Sequence, residues 1–395
     1  MSSPRTIAFP AATHAGAMPV ALGGMIAMAG AVGIGRFVYT PILPVMMAAL
    51  HLSKGQAGLI ASANFLGYLA GALLAGVAAL PGSRRCWLLG TLAVTGLTTA
   101  AMGATASVFA FLGLRFIGGA ASAFVLVIAS VLVLERLALI GRPGLAALHF
   151  AGVGIGIAVS AAAVSAGLIA GMSWQGLWFG VGVLALLAVP LAGWLIPPEP
   201  AHASPAARHA TGRGAGLVWL AAAYGLFGFG YIITATFLVA IVRASPAMRG
   251  AEMLVWLLVG LTAAPSVALW SRLAGRIGAR SAYSLACLLQ AAGVAASVLW
   301  PSAAGALLAA ALLGGTFMGL TALGLAEARL LAPANPRPAL ALMTAFFGLG
   351  QVIGPALAGA LSDRTGSFVL ASLLAAAALM VAALIAQIRP TRSRL

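Results

Sequence analysis

The chain has 395 residues, of which 63% are hydrophobic and only 7% charged, against roughly a quarter charged in soluble domains. Five acidic residues cannot keep a chain of this length in water, so a soluble globular protein is excluded and a polytopic membrane protein is expected. The net charge of +16 invites a nucleic-acid partner, but the basic residues are scattered between apolar runs rather than clustered with aromatics on one face, and that partner is set aside.

Residues 1–17 are polar, with no apolar core followed by a cleavage site, and read as a cytoplasmic tail rather than a signal peptide. Six apolar runs follow, at roughly 18–49, 56–80, 87–105, 108–134, 144–171 and 174–196. Residues 197–215 then interrupt the pattern with Pro, His and Arg. Six more runs come at roughly 216–242, 251–271, 281–300, 303–328, 338–361 and 367–388. Each is long enough to span a bilayer as a helix, which takes about 20 apolar residues, and backbone groups in lipid must be satisfied within the segment. The reading is an all-α membrane protein of twelve transmembrane helices. A six-helix bundle over 18–196 is joined by a cytoplasmic linker, 197–215, to a second over 216–388, and 389–395 forms a cytoplasmic tail. Cys86 and Cys287 fit no metal spacing and no disulfide framework, and read as inert thiols in helices.

With the N-terminus placed in the cytoplasm, fifteen of the 21 Lys and Arg residues fall on the cytoplasmic side. Lys54, Arg243, Arg249 and Arg364 fall outside, and Arg36 and Arg115 lie within spans. The excess positive charge is thus mostly topology. The two halves also repeat each other. GIGRFVYT at 33–40 matches GFGYIITA at 228–235; SRR at 83–85 falls on GAR at 278–280; RFIGGA at 115–120 matches ALLGGT at 311–316; and AGVG at 151–154 matches FGLG at 347–350. An even number of spans per half makes the repeats parallel, an arrangement in which a solute site lies between the halves near mid-depth.

Taken together, the two six-helix halves and the long middle loop resemble the major facilitator superfamily along the whole chain. GIGRFVYTPILP in the first span and GFGYIITATFL in the seventh are similar to its YbfB/YjiJ-type subgroup. The resemblance implies a major facilitator fold, a bacterial inner (plasma) membrane location with both termini cytoplasmic, and transport by alternating access. The superfamily's loop between its second and third helices is partly kept: Gly76, Arg84 and Arg85 match, whereas Leu80, Pro81 and Ser83 stand where Asp, Arg and Gly are usual. In the second half Arg276, Gly278 and Arg280 are kept, and Gly275 stands where Asp would. The family's carboxylate latch is therefore not carried over intact. Glu135 with Arg136, and Glu327 with Arg329, end the fourth and tenth spans and are candidate partners for Arg84, Arg85 and Arg280. The group reads either as a cytoplasmic gate or as interfacial anchors. Arg115 followed by Gly119 resembles a motif of the family's fourth helix linked to solute or proton coupling. The Gly-Pro expected of an antiporter's fifth helix is absent there, and occurs as Gly354-Pro355 in the eleventh span.

In this architecture the first, fourth, seventh and tenth helices line a cavity. Residues three and four apart share a helix face, so Arg36, Tyr39 and Thr40 form one patch, Tyr231 and Thr234 a facing one, and Arg115 shares a face with Gly119 and Ser122. An arginine at the centre of a span costs at least about 2.5–3.5 kcal/mol, which a wet cavity or a partner makes tolerable. All five acids, Glu135, Glu199, Glu252, Glu327 and Asp363, map to helix ends or loops, leaving none at mid-depth. Arg36 and Arg115 are therefore read as holding an anionic solute, a monocarboxylate for preference. The structural alternative is that they bond backbone carbonyls, Asn64, Gln290 or Gln351 and stiffen the bundle. His149, early in the fifth span, is the one interior group that titrates near neutrality: either a proton relay or a hydrogen-bonded interfacial residue. A weak-acid solute would instead carry its own proton.

Small-xxx-small pairs (Gly67/Gly71, Gly152/Gly156, Gly315/Gly319, Gly350/Gly354) suit close helix packing, and Pro41 and Pro44 are expected to bend the first helix near its outer end. A membrane-embedded enzyme is disfavoured because no catalytic set shares a depth. An ATP-driven pump is disfavoured because no GxxxxGK[ST] loop occurs. Proton-antiport efflux and a non-transporting sensor on a transporter fold remain as alternatives. No cofactor is called for, and the expected partners are a small-molecule solute, coupled protons and the lipid bilayer around a monomer.

Overall fold

The computed structural model describes residues 16–77, 81–198, 215–333 and 336–388. The tails expected at 1–17 and 389–395, apart from Gly16 and Ala17, and most of the 197–215 linker with Glu199, Arg208 and Arg213, lie outside the described residues. Among those described, eleven helical spans are long and apolar enough to cross a membrane, and a twelfth apolar helix is shorter. In chain order they are α1 (Ala17–Leu50, interrupted), α2 (Lys54–Val77), α3 (Arg84–Ala101), α4 (Val108–Leu139), α5 (Ala146–Ile169), α6 (Trp174–Leu195), α7 (Ala215–Ala244), α8 (Glu252–Ile277), α9 (Ala279–Leu299), α10 (Ala303–Leu331), α11 (Pro336–Thr365) and α12 (Val369–Ile385). The protein is an all-α membrane protein. Serines start several of these helices: Ser107, Ser173 and Ser302 each accept a first-turn backbone N–H, from Ala110, Gly176 and Gly305. Gly278, with φ at 87°, turns the chain from α8 into α9 within one residue, a left-handed conformation that suits glycine.

Helix packing in the second half copies that in the first. α2 lies on α4 as α8 lies on α10, α1 on α5 as α7 on α11, and α3 on α6 as α9 on α12. The paired glycines sit in these contacts. Gly67 and Gly71 face Phe116 and Ala120 of α4, Gly152 and Gly156 face Met25 and Ala29 of α1, Gly319 faces Trp270 of α8, and Gly350 and Gly354 face α7. With no hydrophobic drive between helices in lipid, such close backbone approach is what holds a bundle together. Between the halves, α2 packs on α11, α5 on α8 and α1 on α7. The α5–α8 crossing is backbone on backbone: a Cβ on Gly154 would lie 2.6 Å from the Gly260 carbonyl oxygen, and one on Gly260 would lie 2.7 Å from that of Gly154.

The first helix departs from expectation. Its interruption lies at mid-span, as a π-helical turn over Ala29–Ile34 followed by an irregular turn to Tyr39, rather than beyond Pro41 and Pro44. Proline disturbs the turn that precedes it, because it has no N–H for the carbonyl four residues back and its ring crowds that carbonyl. Here Pro41 has nothing to offer Phe37 O, and the Thr40 N–H takes that place at 3.3 Å. Upstream, Gly35 N and Phe37 N reach back five residues to Gly30 O and Val32 O. The repeat partner α7 has Thr236 and Val239 at the positions of Pro41 and Pro44, and runs unbroken from Ala215 to Ala244.

At one end of the molecule the halves are joined by a reciprocal helix-end contact. The first turn of α2 is capped internally, Ser53 Oγ accepting from Gln56 N and Gln56 Oε1 from Ser53 N. Its next two amides, Lys54 N and Gly55 N, donate to the Asp363 carboxylate of α11 at 2.9 and 2.8 Å. Lys54 Nζ in turn donates to Ser362 O and to Gly366 O, at 3.3 and 2.7 Å, where α11 ends. Each helix end thus meets charge of the sign its dipole favours. Replacing Asp363 with Asn keeps the size and one acceptor oxygen but removes the charge, and should weaken this closure by about 0.3–1 kcal/mol, the typical worth of a charge at a helix end. Spin labels at positions 53 and 367 are expected to show a longer-distance population in Asp363→Asn that the parent lacks; identical distributions would mean the contact holds nothing shut.

Candidate functional site

The break in α1 gathers the polar centre of the molecule. Arg115, from α4, donates Nη1 to Gly35 O at 3.0 Å and Nη2 to Arg36 O at 2.9 Å. Two successive carbonyls beside the irregular turn are thereby met by the two prongs of one guanidinium. Asn64 of α2 fixes the same turn of α4 by donating Nδ2 to Arg115 O at 2.9 Å. The Tyr39 ring lies over Arg115, 5.1 Å from its guanidinium carbon. The proline and its arginine cap occur together in the first half; in the second, Thr236 replaces the one and Ala311 the other. Arg115 thus makes the bonds to backbone carbonyls that its structural reading expects.

Arg36 is placed differently. It leaves the broken turn toward the other half, where Nη2 donates to Gln351 Oε1 of α11 at 2.8 Å. Gln351 also donates through Nε2 to the Tyr231 hydroxyl of α7. Arg36 and Tyr231 are repeat mates, so a single glutamine links them across the pseudo-symmetry. The guanidinium carbon of Arg36 stacks 4.1 Å from the Tyr68 ring, 4.7 Å from Phe65 and 5.4 Å from Phe37. Its Nε is buried without a hydrogen-bond partner, and the residue as a whole is 5% exposed. A desolvated cation on an aromatic face gains about 2 kcal/mol and a charged hydrogen bond about 1.5–3 kcal/mol, comparable with the insertion cost of an arginine.

Among the described residues each carboxylate is engaged near a helix end. Glu135 lies 3.4 Å from Arg84, Glu252 4.0 Å from Arg243, and Glu327 2.8 Å from Arg280, while Asp363 caps α2. Neither Arg36 nor Arg115 forms an ion pair with any of them. The remaining predicted cavity residues separate. Tyr39 donates to Ala57 O of α2 at 2.9 Å, Thr40 to Ala235 O of α7 at 2.6 Å, and Ser122 to Gly119 O of its own helix at 2.8 Å. Thr234 is buried with its hydroxyl unpartnered. The single face expected for Arg36, Tyr39 and Thr40 is absent, because the turn between 35 and 38 is not helical, and the three reach α11, α2 and α7 instead. His149 is fully buried against Gly24, with Nε2 3.2 Å from the Ser130 hydroxyl.

Sequence reasoning missed Tyr68 and Phe65 as part of this centre, since it assigned the cavity to four helices that exclude α2. Gln351 was named only as a partner for arginine. Its place three residues before Gly354-Pro355 was the available signal: the eleventh span must approach another backbone closely there. Beside the cluster the halves meet along an apolar seam with no room for a water molecule, lined by Phe37, Ile157, Tyr231, Trp256, Leu313 and Phe317. Tyr231 stacks nearly parallel to both Phe317 and Phe347, at 5.8 Å from each.

The family model described as "Uncharacterised MFS-type transporter YbfB" matches residues 28–387. The chain belongs to this family of major facilitator transporters. Two solved structures share its fold. A mutant of the nucleoside transporter NupG superposes with a TM-score of 0.73 at 14% identity, covering 92% of this chain and 98% of that one. A second NupG structure superposes with a TM-score of 0.67 at 15% identity, covering 94% and 99%. No curated protein sequence matches the chain. In this transporter the arginine pairs at the helix ends lie within the halves: Arg84–Glu135 joins α3 to α4, and Arg280–Glu327 joins α9 to α10. Arg85 donates instead to Ile196 O, at 2.8 Å, and to Gly193 O. Arg136 has a buried, unpartnered Nε and Arg329 is exposed.

Proposed function

We propose that this membrane transporter is a secondary carrier that moves a small organic anion, a monocarboxylate by preference, across the bacterial inner membrane by alternating access. Arg36 carries the reading. It is a buried guanidinium at the contact between the halves, held by one neutral side chain, with one prong unpartnered and every described carboxylate engaged elsewhere. A solute carboxylate supplies the missing charge, and the rings of Phe37, Phe65 and Tyr68 receive an apolar body. Arg115 supports it from behind by holding the turn that aims Arg36. With both termini cytoplasmic, the Lys54–Asp363 contact faces outward and closes the site from that side. Arg84, Arg85, Glu135, Arg136, Arg280, Glu327 and Arg329 then form the inner rim. A weak acid carries its own proton through the carrier, which works as a monomer, and His149 is the relay if the proton travels separately.

A second reading has the stacked Tyr231, Phe317 and Phe347 in its favour: a neutral solute with a flat ring, as the name of the nucleoside transporter NupG indicates for that protein. Reconstituted vesicles separate the two. Under an imposed gradient, acid outside, labelled lactate and benzoate are expected to accumulate, to compete with each other and to slow as the external pH rises. Uptake of uridine that neither acid inhibits, with no acid uptake, would sink the anion reading and favour the second.

A further inference from the structure

The contact between Arg36 and Gln351 has a geometry that a purely structural bridge does not require. In a guanidinium, Nε and Nη2 point to the same side and form one two-pronged edge, matched in spacing to the two oxygens of a carboxylate. Gln351 Oε1 holds the Nη2 prong at 2.8 Å, while the Nε prong of that edge is buried and unpartnered. An amide presents one acceptor atom where a carboxylate presents two. The orientation of the amide is settled by chemistry: arginine has only donors, so the oxygen faces Arg36, and the amide nitrogen faces the Tyr231 hydroxyl. Gln351 is itself fully buried, and its helix, α11, belongs to the opposite half from Arg36. Ser62 of α2 also crosses to α11 here, donating to Val352 O at 2.7 Å and accepting from Ala356 N at 3.1 Å.

We propose that Gln351 is an internal ligand of the solute site: its amide oxygen occupies half of the Arg36 edge that a solute carboxylate takes whole, so that solute binding displaces it and releases α11 from α1. The proposal rests on the anion reading above and adds specificity and coupling to it. A neutral ligand with one acceptor is a weak competitor, readily displaced by a two-oxygen anion and able to return when the anion leaves. Its return restores the cross-half bond, so the unloaded carrier regains the same closed contact. A glutamate at this position would fill both prongs permanently and bar the solute. A leucine would leave the edge open.

The test measures binding of a panel of small monocarboxylates, from lactate to benzoate, to the full-length protein in detergent, with a melting curve for each variant to confirm folding. Gln351→Glu is expected to weaken binding at least tenfold, and Gln351→Leu to tighten it severalfold although it removes a buried hydrogen bond. Changes of opposite sign are the signature, because a merely structural glutamine would make both variants worse. If Gln351→Glu does not fold, Gln351→Leu decides alone: unchanged or weaker binding overturns the proposal. Binding by the parent with both variants unaltered overturns the internal ligand and leaves the anion site standing. No binding of any carboxylate by the parent overturns both.

Discussion

Arg36→Gln is expected to raise the Kd for monocarboxylates by roughly 10–100-fold and to reduce their uptake into vesicles by at least as much, with little change in the melting curve. The magnitude follows from one charge-assisted hydrogen-bonded contact, about 1.5–3 kcal/mol, at 1.4 kcal/mol per factor of ten. Folding is spared because the arginine's departure also removes the cost of holding a cation at mid-span, about 2.5–3.5 kcal/mol, and the glutamine retains polar reach toward Gln351. Arg36→Lys keeps the charge but offers a point donor in place of a planar fork, so an intermediate loss is expected. Carboxylate uptake in Arg36→Gln that matches the parent in both rate and affinity would remove the solute from this arginine.

For Arg115 the expected ranking is reversed, with stability affected first. Arg115→Leu leaves Gly35 O and Arg36 O without the donors that now meet them at 3.0 and 2.9 Å. Each buried carbonyl stripped of its partner costs about 1–3 kcal/mol, offset in part by the charge no longer buried. A net loss of up to about 3 kcal/mol is expected, read as a lower denaturation midpoint in detergent. The defect traces to Pro41, so Pro41→Ala in the same chain should recover part of it. An alanine N–H can bond Phe37 O, freeing Thr40 N for the Arg36 carbonyl. A double-mutant cycle is expected to show a coupling of at least about 1 kcal/mol between positions 41 and 115. Strict additivity would mean that Arg115 does not serve the break that Pro41 makes.

Both experiments turn on residues visible in the sequence whose relation was not. The long apolar helices and the repeat were legible because apolar length and periodic small residues are properties of short stretches, and the bilayer demands them locally. So was the shortage of acid, since a carboxylate at 135, 252, 327 or 363 sits at the end of a long apolar run however the helices pack. The expected patch of Arg36, Tyr39 and Thr40 failed for a local reason that sequence also contained: proline acts on the turn before it, so Pro41 opens the backbone at the very residues assigned to one helical face.

What the sequence by itself determined, then, was that this is a duplicated bundle of membrane helices carrying two arginines with no acid at their depth. Which arginine faces its own half and which faces the other was decided only by tertiary structure. Arg36 and Arg115 lie on different helices, and their bond acceptors at Gly35, Arg36 and Gln351 come from α1 and α11, elements 315 residues apart in the case of Arg36 and Gln351. Such partnerships depend on how helices cross and on which carbonyls a broken turn leaves open, and a one-dimensional pattern of hydropathy carries neither.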